Sequence, residues 1–206
     1  MKKTKILIAD DHSIVRLGLH ALLSTENDFE VIGEADDGEI AVQMAICHRP
    51  DIVIMDLMMP ELDGAKATER IRRMAPEVKI LILTTFTYSD MIHQALKSGA
   101  AGALLKSSTD ADLITAIRSI VRGHAFVSSE VRRLLDKDPP GPTFTERQRT
   151  ILAQVTQGHT NREIANMLGI REDSVGEHLS AIFSKLGASN RAEAIAIALK
   201  KHLLKI

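Results

Sequence analysis

The chain of 206 residues has one cysteine, Cys47, no tryptophan and one tyrosine. A single thiol excludes an intrachain disulfide framework and a multi-thiolate zinc site. Aromatics at 3% leave too few rings for a stacking surface of the kind that holds single-stranded nucleic acid. No apolar run reaches the roughly 18 residues of a membrane span. The stretch after Met1-Lys2-Lys3 is apolar only from Ile6 to Ala9 before Asp10 and Asp11 intervene. That is too short for a secretory signal, so a cytoplasmic protein is expected. A strong charge of one sign is also missing: 26 Lys+Arg face 27 Asp+Glu, a net −1. As an average over the chain, this argues against a nucleic-acid partner.

Proline is scarce but clustered. Three of the six prolines fall within Asp136–Pro142, Asp-Lys-Asp-Pro-Pro-Gly-Pro. Such a stretch lacks amide donors and resists helix, so it reads as a stiff connector. Counting charge on either side changes its meaning. Residues 1–142 carry 17 Lys+Arg and 21 Asp+Glu, a net −4, whereas residues 143–206 carry 9 and 6, a net +3. An acidic part precedes a mildly basic one.

The acidic part contains five aliphatic runs, at 5–9, 31–35, 52–55, 80–83 and 102–105. Runs without polar alternation suit parallel strands buried on both faces. Segments of helical spacing separate them: Ile14, Leu17, Ala21 and Leu22 form one apolar stripe, and Leu113, Ala116, Ile117 and Ile120 another. Five βα units predict a doubly wound, flavodoxin-like α/β domain with a five-stranded parallel sheet. The basic part has no strand-like run. Its start signals are the Thr145/Gln148 and Thr160/Glu163 capping boxes and the similar Asn190/Glu193 pair. Gly158, Gly169 and Gly187 stand where helices would end, which predicts a small all-α domain. No internal repeat or low-complexity tract is present.

Chemistry-bearing residues gather at the predicted strand ends. Asp10 and Asp11 follow the first strand and Asp56 the third; ligands of open α/β sheets bind beyond the carboxyl ends of strands. Strands 1 and 3 are neighbours in the flavodoxin-like order, so three carboxylates converge. Three anions together call for a hard cation such as Mg²⁺, which rarely takes more than two carboxylates. One is then left as a nucleophile. Thr84 after the fourth strand and Lys106 after the fifth supply a hydroxyl donor and a positive charge for a transferred phosphoryl group. The set reads as a site for phosphorylation of an aspartate. A lone strand-end Asp is usually a turn or cap residue, but four strand ends with complementary groups outweigh that reading.

Residues 1–122 resemble a response-regulator receiver domain through Ile8-Ala-Asp-Asp-His12, Met55-Asp-Leu-Met-Met-Pro60, Asp63-Gly64, Leu83-Thr84 and Leu104-Leu-Lys106. The resemblance implies phosphorylation of Asp56 by a partner sensor histidine kinase. It also implies Mg²⁺ held by Asp11 directly, by Asp10 largely through water, by Asp56 and by the Met58 carbonyl. Thr84 and Lys106 would move toward the phosphoryl group. One departure is Ala103, where such receivers usually carry Tyr or Phe. Read-out is then expected to be weakened, rerouted or taken over by Tyr88 or Phe86. Met58 and Phe86 are apolar at positions bordering the attacking water, which implies a long-lived acyl phosphate. His12 reads as a packing or supporting residue, His178 as packed between helices, and the eight methionines as core filler.

Residues 161–185 have the layout of a helix-turn-helix, with a short helix, a turn at Gly169 and a longer helix. Ile164, Ala165, Leu168, Ile170, Val175, Leu179 and Ile182 are the expected core. With Phe144–Arg149, Gln157-Gly158, Leu186-Gly187 and Asn190–Ala194, residues 143–206 resemble the LuxR-type DNA-binding domain. The whole chain is therefore similar to two-component response regulators of the NarL/FixJ type. The resemblance implies a receiver at 1–122, a linker with a short helix at 123–142, and a DNA-binding domain at 143–206 that binds double-stranded promoter DNA as a homodimer. The residues placed toward DNA are Thr160, Asn161, Arg162, Arg171, Ser174, Val175, Gly176, Glu177, Ser180, Lys185 and Arg191, with Lys200 a further backbone contact. The last helix, with Ala192, Ala194, Ile195, Ala198 and Leu199, is a candidate pairing surface. Relatives usually carry a lysine where this chain has Gly176, and Glu177 follows it. No enzyme activity is expected beyond phosphoryl transfer onto the chain itself and slow dephosphorylation. A dehalogenase-type phosphatase would need an Asp at position 58, where Met58 stands. A protein-interaction module whose helix-turn-helix is degenerate for DNA is the alternative.

Overall fold

The computed structural model describes residues 2–85, 89–137 and 144–200, with Lys200 described by its backbone alone. The chain forms two compact units, Met1–Pro139 and Pro140–Ile206.

In the first unit strands and helices alternate: β1 (Thr4–Ala9), α1 (Ser13–Ser24), β2 (Phe29–Ala35), α2 (Gly38–His48), β3 (Ile52–Met55), α3 (Gly64–Met74), β4 (Lys79–Thr84), α4 (Ser89–Lys97), β5 (Gly102–Leu105), α5 (Asp110–Val121), β6 (Phe126–Val127) and α6 (Ser129–Lys137). The sheet is parallel, in the order β2-β1-β3-β4-β5-β6. β1 and β3 are adjacent, with Ala9 in register with Met55, so the carboxyl ends of both strands open at one place. β3 is buried at all four residues, as a strand covered on both faces must be. One face of the sheet packs against α2, α3, α4 and α6 through residues such as Val42, Ile71, Ile92 and Val131. The other packs against α1 and α5 through Leu19, Leu23, Leu113 and Ile117.

The sheet has six strands where five were expected. The sixth, only Phe126–Val127, pairs with Gly102 and Ala103 of β5; two residues give no periodic signal in a sequence. The segment expected as a linker thus contributes β6 and α6 to the first unit, with Val131 fully buried. The apolar stripe of α1 also differs. Ile14 is 83% and Leu17 71% exposed, and the buried side is that of Leu19 and Leu23, with Val15 and Leu22 packed against it. Apolar residues surround α1, so spacing alone could not choose a face. Among the methionines Met55 and Met59 are core, whereas Met58, Met74 and Met167 are exposed.

The second unit contains α7 (Glu146–Thr156), α8 (Asn161–Leu168), α9 (Glu172–Leu186) and α10 (Arg191–Lys200). Thr145 and Thr160 each close a capping box, with Gln148 and Glu163, satisfying amides that the first helical turn leaves without partners. Asn190 accepts from the Glu193 amide at 2.9 Å. α8 ends at Gly169 in the left-handed conformation (φ 63°), which glycine adopts without the Cβ clash of other residues. Ile151, Leu152, Ile164, Val175, Leu179 and Ile182 form the core.

Candidate functional site

Asp10 and Asp56 sit where β1 and β3 end, and both are 2% exposed. Their backbones are tied into the sheet: the Asp56 amide donates to the Ala9 carbonyl at 2.8 Å and the Asp10 amide to that of Ala35 at 3.0 Å. Arg16 of α1 donates to the Asp10 carbonyl at 2.7 Å. Ligand atoms of Asp10, Asp11, His12 and Asp56 all lie within 4.8 Å of one another. The His12 ring is mostly exposed, and its Nδ1 is 2.7 Å from Asp11 Oδ1, a supporting contact at the mouth of the cluster.

Lys106, just beyond β5, crosses to this cluster. Its Nζ donates to Asp56 Oδ2 at 3.0 Å and also contacts Asp10 Oδ2. Asp56 Oδ1 accepts from the Leu57 amide at 2.7 Å. Burial pushes the Asp56 carboxyl above its ordinary value; Lys106 and the Leu57 amide oppose this, and the Asp10 charge adds to it. Burial works against the Lys106 ammonium too, yet its bonds to Asp10 and Asp56 hold it above the usual lysine value. Three carboxylates against one contacting ammonium leave surplus negative charge, and their oxygens are hard donors. That donor set fits Mg²⁺.

Thr84 is fully buried at the end of β4, and its carbonyl accepts from the Lys106 amide at 2.8 Å. Met58 is exposed, two residues beyond Asp56. Gly64 was noted in the sequence only as part of a motif, but it has a steric role here. A Cβ on it would lie 2.0 Å from the Asp56 carbonyl oxygen, so glycine lets α3 begin against the end of β3. Asp63 caps α3 through the Lys66 amide at 2.9 Å. Ala103 is fully buried and shares an apolar cluster with Val131 of α6. Tyr88 and Phe86, expected to take over read-out, lie outside the described residues.

In the second unit α8, the Gly169 turn and α9 form a helix-turn-helix. Arg162, Arg171, Glu177 and Ser180 are exposed; Asn161, Ser174 and Gly176 are partly so. Val175, expected both in the core and toward DNA, has no exposed surface and belongs to the core alone. Three of the expected DNA-facing cations have intramolecular partners. Lys185 Nζ donates to Gln148 at 2.8 Å and stands over the Phe144 ring. Arg191 donates to Asn161 Oδ1 at 3.3 Å and to the His159 carbonyl. Arg171 caps α9 without a side-chain bond to its amides and pairs with Asp173 at 3.2 Å. Thr160 is engaged as a helix cap, and nothing is described of the Lys200 side chain.

A doubly wound α/β unit with an acidic pocket bridged by a lysine, followed by a helix-turn-helix unit, defines a phosphoacceptor switch coupled to a DNA reader. Comparison with known proteins agrees. Residues 6–118 match the response regulator receiver domain and residues 142–198 the luxR family of bacterial regulatory proteins. The chain is 37% identical to the transcriptional regulatory protein LiaR of Bacillus subtilis (strain 168), over 97% of this chain and 99% of that one. It is 34% identical to the response regulator protein VraR of Staphylococcus aureus, over 98% and 99%. Among solved structures, that of the response regulator ChrA of a heme-sensing two-component system matches with TM-score 0.60 and 33% identity, covering 99% of this chain and all of that one. A structure of two RcsB dimers bound to two parallel DNAs matches with TM-score 0.65 and 25% identity, over 97% and 99%. The chain belongs to the LuxR-type response regulators: it is a phosphorylation-switched transcription factor.

Proposed function

We propose that Asp56 is the phosphoacceptor and that a sensor histidine kinase supplies the phosphoryl group. The observation that carries this is the pairing of buried Asp56 with Lys106 beside Asp10 and Asp11. An Asp56 oxygen attacks phosphorus, an O–P bond forms, and the P–N bond to the kinase imidazole breaks. Asp11, Asp56 and the Met58 carbonyl, with Asp10 largely through water, would hold Mg²⁺, which when bound would neutralise charge on the phosphoryl oxygens. Lys106 exchanges its contact with Asp56 for one with a phosphoryl oxygen, and the Thr84 hydroxyl donates to another. Apolar Met58 cannot orient a hydrolytic water, which favours a long-lived phosphorylated form. Beyond this self-directed chemistry the chain has no enzymatic role.

The receiver at 1–122, extended by the β6 and α6 of segment 123–142, acts on a DNA-binding domain at 143–206 that pairs with a second copy on promoter DNA in the cytoplasm. Thr160, Asn161, Arg162, Arg171, Ser174, Gly176, Glu177, Ser180, Lys185 and Arg191 form its DNA surface. Thr160, Asn161, Lys185 and Arg191 act there largely by holding the helices in place. Incubation with acetyl phosphate and Mg²⁺ should add one phosphoryl group by mass spectrometry. Asp56→Ala should remove that gain. An unchanged gain in Asp56→Ala contradicts the assignment.

A further inference from the structure

On α9, charge and position conflict. Val175, Leu179 and Ile182 turn one side of the helix into the core, and Asp173, Glu177, Ser180 and Ala181 are exposed. A helix-turn-helix sends the N-terminal part of its second helix into the major groove. Yet no Lys or Arg lies between Glu172 and Ser184, whereas Glu172, Asp173 and Glu177 do. Glu172 and Asp173 sit in the first helical turn, where negative charge stabilises the helix, and Asp173 pairs with Arg171. Glu177 has neither role: it is in the second turn, exposed, and without a hydrogen-bond or ion-pair partner among the described residues.

An unpartnered carboxylate facing DNA is repelled by phosphates and gains only where it finds a donor. Major-groove edges offer two donors, the N4 amino group of cytosine and the N6 amino group of adenine. Beside adenine N6 lies the N7 acceptor, which repels a carboxylate. The neighbour of cytosine N4 is the C5–H, which does not. Gly176 adds a second, steric observation. A Cβ there would meet nothing within 4 Å, so the fold does not require glycine at this interior helical position.

We propose that Glu177 is a specificity-determining residue that accepts a hydrogen bond from the N4 amino group of a cytosine. Gly176, bare of a side chain, lets this turn of α9 approach the base edges closely enough for that contact. The proposal rests on the DNA-binding function of the second unit. It also gives the acidic helix a purpose: the Glu177 carboxylate weakens binding to arbitrary DNA and recovers affinity only at the right base.

The test is selection from a random-sequence duplex library by the full-length phosphorylated chain, as wild type, Glu177→Ala, Glu177→Gln and Gly176→Ala. Wild type should select a site with an invariant cytosine. Glu177→Ala should lose roughly 5- to 150-fold discrimination at that position alone, as expected for one base contact, and bind random DNA more tightly. Glu177→Gln should move the preference to adenine, whose N6 and N7 match an amide. Gly176→Ala should unfold at higher temperature yet bind the selected site more weakly. An unchanged preference in Glu177→Ala overturns the role of Glu177, and undiminished binding by Gly176→Ala overturns that of Gly176. If wild type enriches no sequence at all, the DNA-reading function fails together with the proposal, a result distinct from either of those.

Discussion

Lys106 is the residue on which the acidic pocket depends. It bonds Asp56 and contacts Asp10, all three largely buried, so its removal leaves two close carboxylates without a counter-charge. Breaking a buried ion pair from one side costs roughly 3–5 kcal/mol. Lys106→Met should therefore lower the thermal midpoint of the first unit, and adding Asp56→Asn should restore part of the loss. A Lys106→Met protein as stable as wild type in the absence of divalent cations would contradict the pairing. At this scale the sequence was informative about the pocket. Asp10, Asp11, Asp56 and Lys106 were each legible because a strand end is a fixed address in an open α/β sheet. The DNA-facing cations were less so. Lys185 and Arg191 have intramolecular partners on α7 and near the start of α8, and net charge does not reveal whether a cation is already occupied.

Among the elements, α6 changes the meaning of Ala103. The receiver resemblance makes an alanine there look like the loss of a switch residue. In the fold, Ala103 pairs with Val127 of β6, and its carbonyl accepts from the Ser128 amide at 3.1 Å. Val131 of α6 packs in the same cluster, with Leu134 and Leu135 against it. A ring at position 103 would compete with α6 for that space, and overpacking costs roughly 1–3 kcal/mol. Ala103→Phe should speed amide hydrogen exchange across 129–137 while leaving β1 and β3 protected. Unaltered exchange in α6 would show that this side of β5 has room for a ring. Strands β1 to β5 were legible as aliphatic runs. Neither β6 nor the buried face of α1 was, because two residues hold no period and Ile14 and Leu17 are as apolar as the leucines that do pack.

For the whole molecule, the net −1 conceals an acidic receiver unit and a mildly basic reader. The basic unit carries only +3, and its helix α9 is acidic. A unit of so little charge gains little from phosphate contacts alone, so in the proposed mechanism its occupancy of a promoter comes from specific contacts and from pairing of two copies. Phosphorylation can control that only through contacts that differ between the two forms. In the proposed mechanism the state of Asp56 governs DNA occupancy. Genome-wide DNA capture under kinase-activating conditions, with wild type and Asp56→Ala at equal abundance, tests it most directly. Discrete two-fold sites occupied by wild type and vacated by Asp56→Ala are the predicted result. Equal occupancy of the same sites by both proteins, or enrichment by neither, would contradict it.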